Sequence, residues 1–297
     1  PGPGQALVRV DAAGICASLV KMIAQGNDHT YLYGWDLAQY PAILGDEGSV
    51  TLVAVGEGLH DKYDLGTRYV VQPAVDAAPI NHLERYRNHG HGISKIACGY
   101  TLPGHLAEYM LIPEEVFAAD CLIPIPAKQM PFAHAAISEP ISCCVSGQFH
   151  HIHLHQANLT SPRQARPGLK SGGTCVVVGL GAMGRMHVDV ALAQSVSVII
   201  GSDPMDARRK RTIEMFSDKA NANNCQLLTV DPTDLQDSIN KITSGRGVDD
   251  LIIAVGHAKV IENSLPMLSK GGVANLFGGL KKGQEIIAVN ANDIHYS

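Results

Sequence analysis

Residues 174–184 read TCVVVGLGAMG, an apolar strand-like run that closes on Gly179-Leu180-Gly181-Ala182-Met183-Gly184 and opens into the helix-like stretch AMGRMHVDVALAQ. A G-x-G-x-x-G is a weak signal by itself. Between a buried-type strand and a helix it makes specific demands. Gly179 permits the tight turn, Gly181 lets backbone approach a pyrophosphate, and Gly184 allows close packing of helix on sheet. Ala182 and Met183 fall in the first helical turn, where unbonded N–H groups and the positive dipole end favour phosphate. The next strand-like run ends in Gly201-Ser202-Asp203 and places an acid where ribose hydroxyls would be accepted. Asp203 repels a 2′-phosphate and favours NAD. Arg208 and Arg209 lie close enough to reach a phosphate or stack on adenine, which keeps NADP open. The alternative is a Gly-rich turn in a cofactor-free α/β domain.

The rest of the chain divides into two halves. After about residue 170, strand runs (TCVVVGLG, VSVIIGSD, CQLLTVDP, DDLIIAVG, GGVANLFGG) alternate with helical stretches (PMDARRKRTIEMF, TDLQDSINKIT, KVIENSLPMLSK). That alternation predicts βαβ units and a parallel sheet covered on both faces. Before about residue 140, short runs such as QALVRVDAAG, GSVTLVAVGEG, TRYVVQPAV, LAEYMLIP and CLIPIP are broken by Gly, Pro and Asp, the pattern of a small β barrel or sandwich. A chain of 297 residues exceeds one ordinary core. We place the domains at 1–145 and 146–297, with TSPRQARPGLKSGG (160–173) as the best linker candidate.

Charge and cysteines narrow the class. A formal charge of −5 gives no electrostatic reason for a nucleic acid or anionic membrane partner, and no apolar run approaches the ~18 residues of a spanning helix. The 7 cysteines are odd in number and lack C-x-x-C spacing, so a disulfide framework is not expected and a reducing cytoplasm is. In that compartment the sequon at Asn158 carries no meaning.

Several short stretches together carry a family resemblance: Gly14-Ile15-Cys16-Ala17-Ser18, Gly45-Asp46-Glu47-Gly48 with the SVTLVAVGEG that follows, Ser138-Glu139-Pro140, and the Gly179–Gly184 loop. With them the chain resembles the medium-chain dehydrogenase/reductases, the zinc-type alcohol and polyol dehydrogenase superfamily. VVQPAV, SEPISCCVSGQFHH and the terminal NANDIHY look most like sorbose-1-phosphate reductase and its relatives. The resemblance implies a GroES-like β-rich catalytic domain followed by a Rossmann doubly wound parallel sheet. It also implies that both are truncated at the chain ends, and that the intact protein forms homo-oligomers.

The resemblance further implies one catalytic zinc on Cys16, Asp46 and Glu47, with Glu139 as a further ligand or an exchange partner for water. A structural zinc is not expected, because only Cys98 falls where that cysteine-rich lobe would be. Taken alone, Cys16 reads better as a buried structural thiol and Asp46-Glu47 better as a solvated turn. Asp46 stands where the family most often has histidine. Cys⁻, Asp⁻ and Glu⁻ would leave Zn²⁺ with one net negative charge, a weaker Lewis acid on a harder ligand set. Ser18 falls where the family passes a proton between substrate oxygen and solvent. Lys21 takes the place of the outer relay histidine. It could carry the proton if burial lowers its pKa, hold a substrate phosphate, or simply be a surface lysine.

Two histidine groups are left over. His150, His151, His153 and His155 follow SEPISCCVSGQF on a predicted helix, where His151 and His155 would share a face and could chelate a metal, or form a polar face. NHLERYRNHGHGISK (81–95) carries His82, Arg85, Arg87, His89, His91 and Lys95, suited to an anionic substrate or to a solvated loop. The function expected is NAD(P)-linked interconversion of a secondary alcohol and a ketone on a polyol or sugar phosphate. The alternatives are a metal-free quinone or enone reductase of the same superfamily, or a non-catalytic dinucleotide-binding protein.

Overall fold

The computed structural model describes residues 1–76, 79–126, 129–281 and 283–295. The backbone forms two compact units, Pro1–Glu139 and Pro140–Ser297.

In the first unit β1 (Ala6–Ala13) leads into α1 (Ala17–Gln25). It is followed by β2 (Gly48–Val55), β3 (Arg68–Val71), β4 (Ala74–Val75), β5 (Ile96–Ala97), β6 (Tyr109–Ile112), α2 (Glu114–Ala118), β7 (Leu122–Pro124) and α3 (Phe132–Ala136). Five strands form one antiparallel sheet in the order β6-β1-β2-β3-β7, and β4 pairs with β5. Val8, Val50, Leu52, Val71, Met110 and Ile112 fill its core, each contributing roughly 1.5–3 kcal/mol through burial. The register positions the site. Ala13 pairs with Gly48, and β1 carries irregularities between Leu7 and Val8 and between Val10 and Ala12. The loop that leaves β1 and the loop that enters β2 therefore emerge side by side.

Helix α4 (Ser138–Phe149) crosses the boundary between the units. In the second unit come β8 (Ile152–His155), β9 (Gln164–Pro167), β10 (Thr174–Val178), α5 (Ala182–Leu192), β11 (Val198–Ser202), α6 (Asp206–Ala222), β12 (Gln226–Val230), α7 (Leu235–Thr243), β13 (Val248–Ile253), α8 (Ala258–Ser264), β14 (Leu268–Asn275) and α9 (Ala291–His295). The strands β12-β11-β10-β13-β14 form a five-stranded parallel sheet in that order, with strand order reversing at β10 as in a dinucleotide-binding fold. Strands β10 and β13 are buried throughout, as a sheet covered on both faces requires.

Two expectations are corrected. Helix α4 stops at Phe149, and residues 152–155 are a strand, so His151 and His155 do not share a helical face. The stretch 160–173 is not a plain linker, because Gln164–Pro167 pairs antiparallel with β8. Tyr296 and Ser297, the end of the terminal motif, lie outside the described residues.

Candidate active site

Gly14 hydrogen-bonds through its N–H to Glu47 O at 2.9 Å, extending the β1–β2 pairing to the loops themselves. A Cβ at Gly14 would fall on the Glu47 carboxylate, so only glycine lets that side chain turn inward. Cys16 caps α1 from an extended backbone, and its Sγ accepts the Ser18 N–H at 3.5 Å. The ligand atoms of Cys16, Asp46 and Glu47 thereby lie within 4.8 Å of one another. Asp46 and Glu47 are buried. Glu139, the fourth expected ligand, is half-buried near the start of α4 and lies outside this group.

Electrostatics mark the cluster as short of positive charge. Burial pushes the Cys16 thiol up to about 11, the Asp46 and Glu47 charges adding to it against hydrogen bonding with Ser18. Burial and the neighbouring Asp46 charge likewise raise Glu47, against a hydrogen bond with Cys16. Asp46 Oδ2 accepts the Ser18 hydroxyl at 2.7 Å, while its Oδ1 is buried with no hydrogen-bond partner. A thiol and two carboxyls turned onto one point, with an orphaned carboxylate oxygen among them, fit a divalent cation of the zinc class.

The turn itself rests on a histidine. His105 is buried, its backbone N–H and its Nδ1 both bonded to Gly45 O at 2.9 and 3.0 Å. Because a carbonyl only accepts, Nδ1 carries the proton and Nε2 is left as a buried acceptor without a partner. Burial lowers the pKa of His105. Tyr100 is hydrogen-bonded to Ser18, and burial pushes its phenol up to about 12. With Ser18 spending its proton on Asp46, Tyr100 must be the donor to Ser18. His29 packs its ring 5.3 Å from that of Tyr100, and burial, then the Lys21 charge, lowers its pKa. Sequence reasoning missed all three, since a lone histidine or tyrosine in a loop carries no spacing signal.

Lys21 is exposed. The burial on which its expected proton-carrying role depended is missing. The basic segment 81–95 is largely committed to its own unit. Arg87 pairs with Asp36 at 2.8 Å, Arg85 lies over the Trp35 and Tyr40 rings, and Lys95 over Tyr31. Around it, among the described residues, no second group of metal-ligating side chains gathers, and Cys98 is a buried thiol pushed up to about 12.

In the second unit the glycine loop joins β10 to α5. Gly179 takes φ 91°, and a Cβ at Gly184 would fall on Gly179 O, so turn and helix close tightly. At Gly181 the space where a side chain would lie is open. Gly181 is also the N-cap of α5 and provides no side-chain cap, leaving the first-turn N–H groups of Ala182, Met183 and Gly184 for an anion. Asp203 is buried at the end of β11. Its Oδ2 accepts the Leu180 N–H at 2.9 Å and Arg208 Nη1 at 3.3 Å, and its Oδ1 accepts the Met205 N–H at 2.9 Å. Arg209 bonds the Asp203 carbonyl and Asp231. A cavity of about 880 Å³ beside β14 and residues 288–294 contains none of these groups.

The comparisons with known proteins agree with this architecture. Residues 2–126 match the alcohol dehydrogenase GroES-like domain. The chain is 26% identical to L-sorbose 1-phosphate reductase of Klebsiella pneumoniae over 98% of its own length and 67% of that protein. It is 26% identical to mannitol-1-phosphate 5-dehydrogenase of Aliivibrio fischeri over 98% of its length and 66% of that protein. The chain thus spans about two thirds of the length of the curated relatives it matches. Among solved structures, a putative zinc-binding dehydrogenase from Sinorhizobium meliloti bound to NADP superposes with a TM-score of 0.74 at 23% identity, covering 100% of this chain and 75% of that one. Among the described residues no helix is long and apolar enough to cross a membrane. With a GroES-like domain ahead of a Rossmann-type parallel sheet, and relatives matched across both, the chain is similar to the zinc-type polyol dehydrogenases of the medium-chain dehydrogenase/reductase superfamily.

Proposed function

We propose that this chain belongs to an NAD(P)-linked oxidoreductase that interconverts a secondary alcohol and a ketone on a polyol or sugar phosphate. The observation that carries the proposal is the convergence of Cys16, Asp46 and Glu47 beside a hydrogen-bonded serine, in a chain that also has an uncapped glycine-loop helix. Those three residues would hold a zinc ion, which would supply Lewis acidity toward the substrate oxygen, and a bound dinucleotide would supply the hydride acceptor or donor. Ser18 holds a proton at Oγ between the substrate oxygen and Asp46 Oδ2, and Tyr100 fixes the serine rotamer by donating to it. Lys21, three residues beyond Ser18 and on the same face of α1, presents its charge to solvent and to an anionic substrate group.

The Ala182, Met183 and Gly184 N–H groups receive the pyrophosphate. Asp203 favours NAD, and Arg208 offers the contact through which NADP would be accepted. The relatives named for sorbose 1-phosphate and mannitol 1-phosphate support a phosphorylated polyol as substrate, and a cytoplasmic homo-oligomer is the form proposed for the protein.

The test is an absorbance assay of the intact protein against polyols and their 1-phosphates with each dinucleotide, before and after chelation. The expected result is turnover that disappears with the metal and returns with zinc. Turnover indifferent to chelator, on quinones or enones, would replace this reading with the metal-free one.

A further inference from the structure

The second unit holds another set of metal-ligating side chains, independent of the oxidoreductase proposal. Past the end of α4 the two-residue period of β8 turns His151 and His153 inward, while Ile152 and Leu154 face out. Both rings meet Asp250, which is fully buried on β13. His151 Nδ1 lies 2.7 Å and His153 Nε2 2.8 Å from the same oxygen, Asp250 Oδ1. The three ligand atoms are within 4.8 Å of one another, and the residues are 1%, 8% and 0% exposed. Asp250 is paired with Cys175 near the start of β10. The cluster therefore sits toward the amino ends of the parallel strands, whereas the glycine loop leaves their carboxyl ends, where nucleotides bind.

The neighbouring acid shows what Asp250 lacks. Asp249 is also buried, but it is held by Lys170 Nζ at 2.7 Å and Arg246 Nη1 at 3.0 Å. Asp250 meets two imidazoles and the Lys170 backbone N–H, the latter at 2.8 Å to Oδ2. It shares its side of the sheet with Val177 and Ile252, part of an apolar core. A carboxylate in that setting needs a compensating positive charge, and no permanent one is among its contacts.

We infer that His151, His153 and Asp250 are protein ligands of a second divalent metal site, of the zinc class, that clamps the β8–β9 hairpin to the parallel sheet. Two imidazole nitrogens and one carboxylate oxygen are a donor set zinc takes, with a fourth position for water. On ligation each neutral imidazole moves its single proton to its far nitrogen, so no proton is lost. Asp250 Oδ1 exchanges two N–H bonds for the metal, and Oδ2 keeps its backbone donor. His151 Nε2, now buried with no hydrogen-bond partner, becomes an N–H that needs an acceptor. His151 lines a cavity of about 270 Å³ together with Gly147 and Asn275, roomy enough for a separate water to accept it. The hairpin needs such a clamp, because two strands alone are marginal in water.

The experiment strips the Cys16→Ser chain with chelator and titrates it with Co²⁺, reading stoichiometry and absorption. Removing Cys16 eliminates thiolate-to-metal charge transfer from the first cluster. We expect about one equivalent of Co²⁺ bound with only weak d–d bands, and its loss in the Cys16→Ser/His153→Gln double variant. Zn²⁺ should raise the unfolding midpoint of the single variant and leave that of the double variant unmoved. If the double variant does not fold, X-ray absorption of the Co²⁺-loaded single variant decides: the expected shell is two imidazole nitrogens with oxygens. A folded Cys16→Ser chain that binds no Co²⁺, a double variant with unchanged stoichiometry, or a shell without imidazole would overturn the inference. Because none of these readouts is turnover, failure here would leave the oxidoreductase proposal intact.

Discussion

The two clusters, Cys16–Asp46–Glu47 and His151–His153–Asp250, close very different gaps. The first joins two loops at the same end of one antiparallel pair, so the register Ala13↔Gly48 suffices to bring them together. The second joins residues 97 and 99 apart in sequence, through a hairpin laid against a strand of the parallel sheet. Their chemistry also differs when no cation is present. Three acids share one buried space, where burial first and their mutual charge after it raise the Cys16 and Glu47 pKa values. Two imidazoles and one carboxylate can satisfy one another through N–H donation. Stripping metal should therefore leave the first cluster holding extra protons, and the second as a hydrogen-bonded network.

Changes confined to one cluster should separate chemistry from stability. The largest effect is expected from Cys16→Ser, with turnover falling on the order of a thousandfold, as for several kcal/mol of lost Lewis-acid stabilisation. Dinucleotide affinity, read by NADH fluorescence, should stay unchanged, and a parallel loss of cofactor binding would break the division of labour between the units.

His187 tests the second unit. Burial above all holds its pKa at about 4, against 6.5 for an ordinary histidine. Between those values the unfolded chain binds more protons than the folded one. The stabilising contribution is thus complete above pH 6.5 and declines as the pH drops toward 4, by about 1.4 kcal/mol per unit. In His187→Gln, urea unfolding at pH 7 and pH 5 should show that slope removed. An unchanged slope would mean that another group carries it.

Asp46→His sharpens the first cluster. Replacing an anion by a neutral ligand should strengthen the metal's Lewis acidity and move the alkaline limb of the pH–rate profile downward, with an effect of roughly tenfold on turnover near neutrality. If neither metal affinity nor the profile moves, Asp46 is not a ligand. The smallest effect is expected from Arg208→Ala, a few-fold change in the NAD-to-NADP ratio of kcat/KM. It follows from the 3.3 Å pairing with Asp203 on a half-exposed guanidinium, and competition between the two dinucleotides would measure it.

The places where sequence reading failed have a common physical cause. The stretch IHLH does alternate apolar and polar residues, but its burial is inverted, with His153 inside and Ile152 and Leu154 outside. The reversal occurs because what lies beneath the strand is a carboxylate, Asp250, which the sequence places in an otherwise aliphatic run. Likewise Gln164–Pro167 has the composition of a linker and is a strand only because β8 offers it a partner. Lys21 sits where a relay residue belongs by resemblance, yet α1 turns it to solvent. Tyr100 and His105 were invisible, because their importance comes from what a distant loop brings against them.

Local physical chemistry was enough for much of this protein. Apolar runs of strand length, helical periods between them and glycines at fixed offsets specify the parallel sheet and its phosphate-binding turn, because each depends on neighbours in the chain. The identity of Asp46 and Asp203 likewise follows from their place beside such turns. What the tertiary structure alone decided is which polar groups share a buried space. Asp250 meets two histidines, Asp249 two cations, and Ser18 both Asp46 and Tyr100. Buried charge must be compensated where the fold places it, and that demand is set by packing between segments that are far apart in sequence.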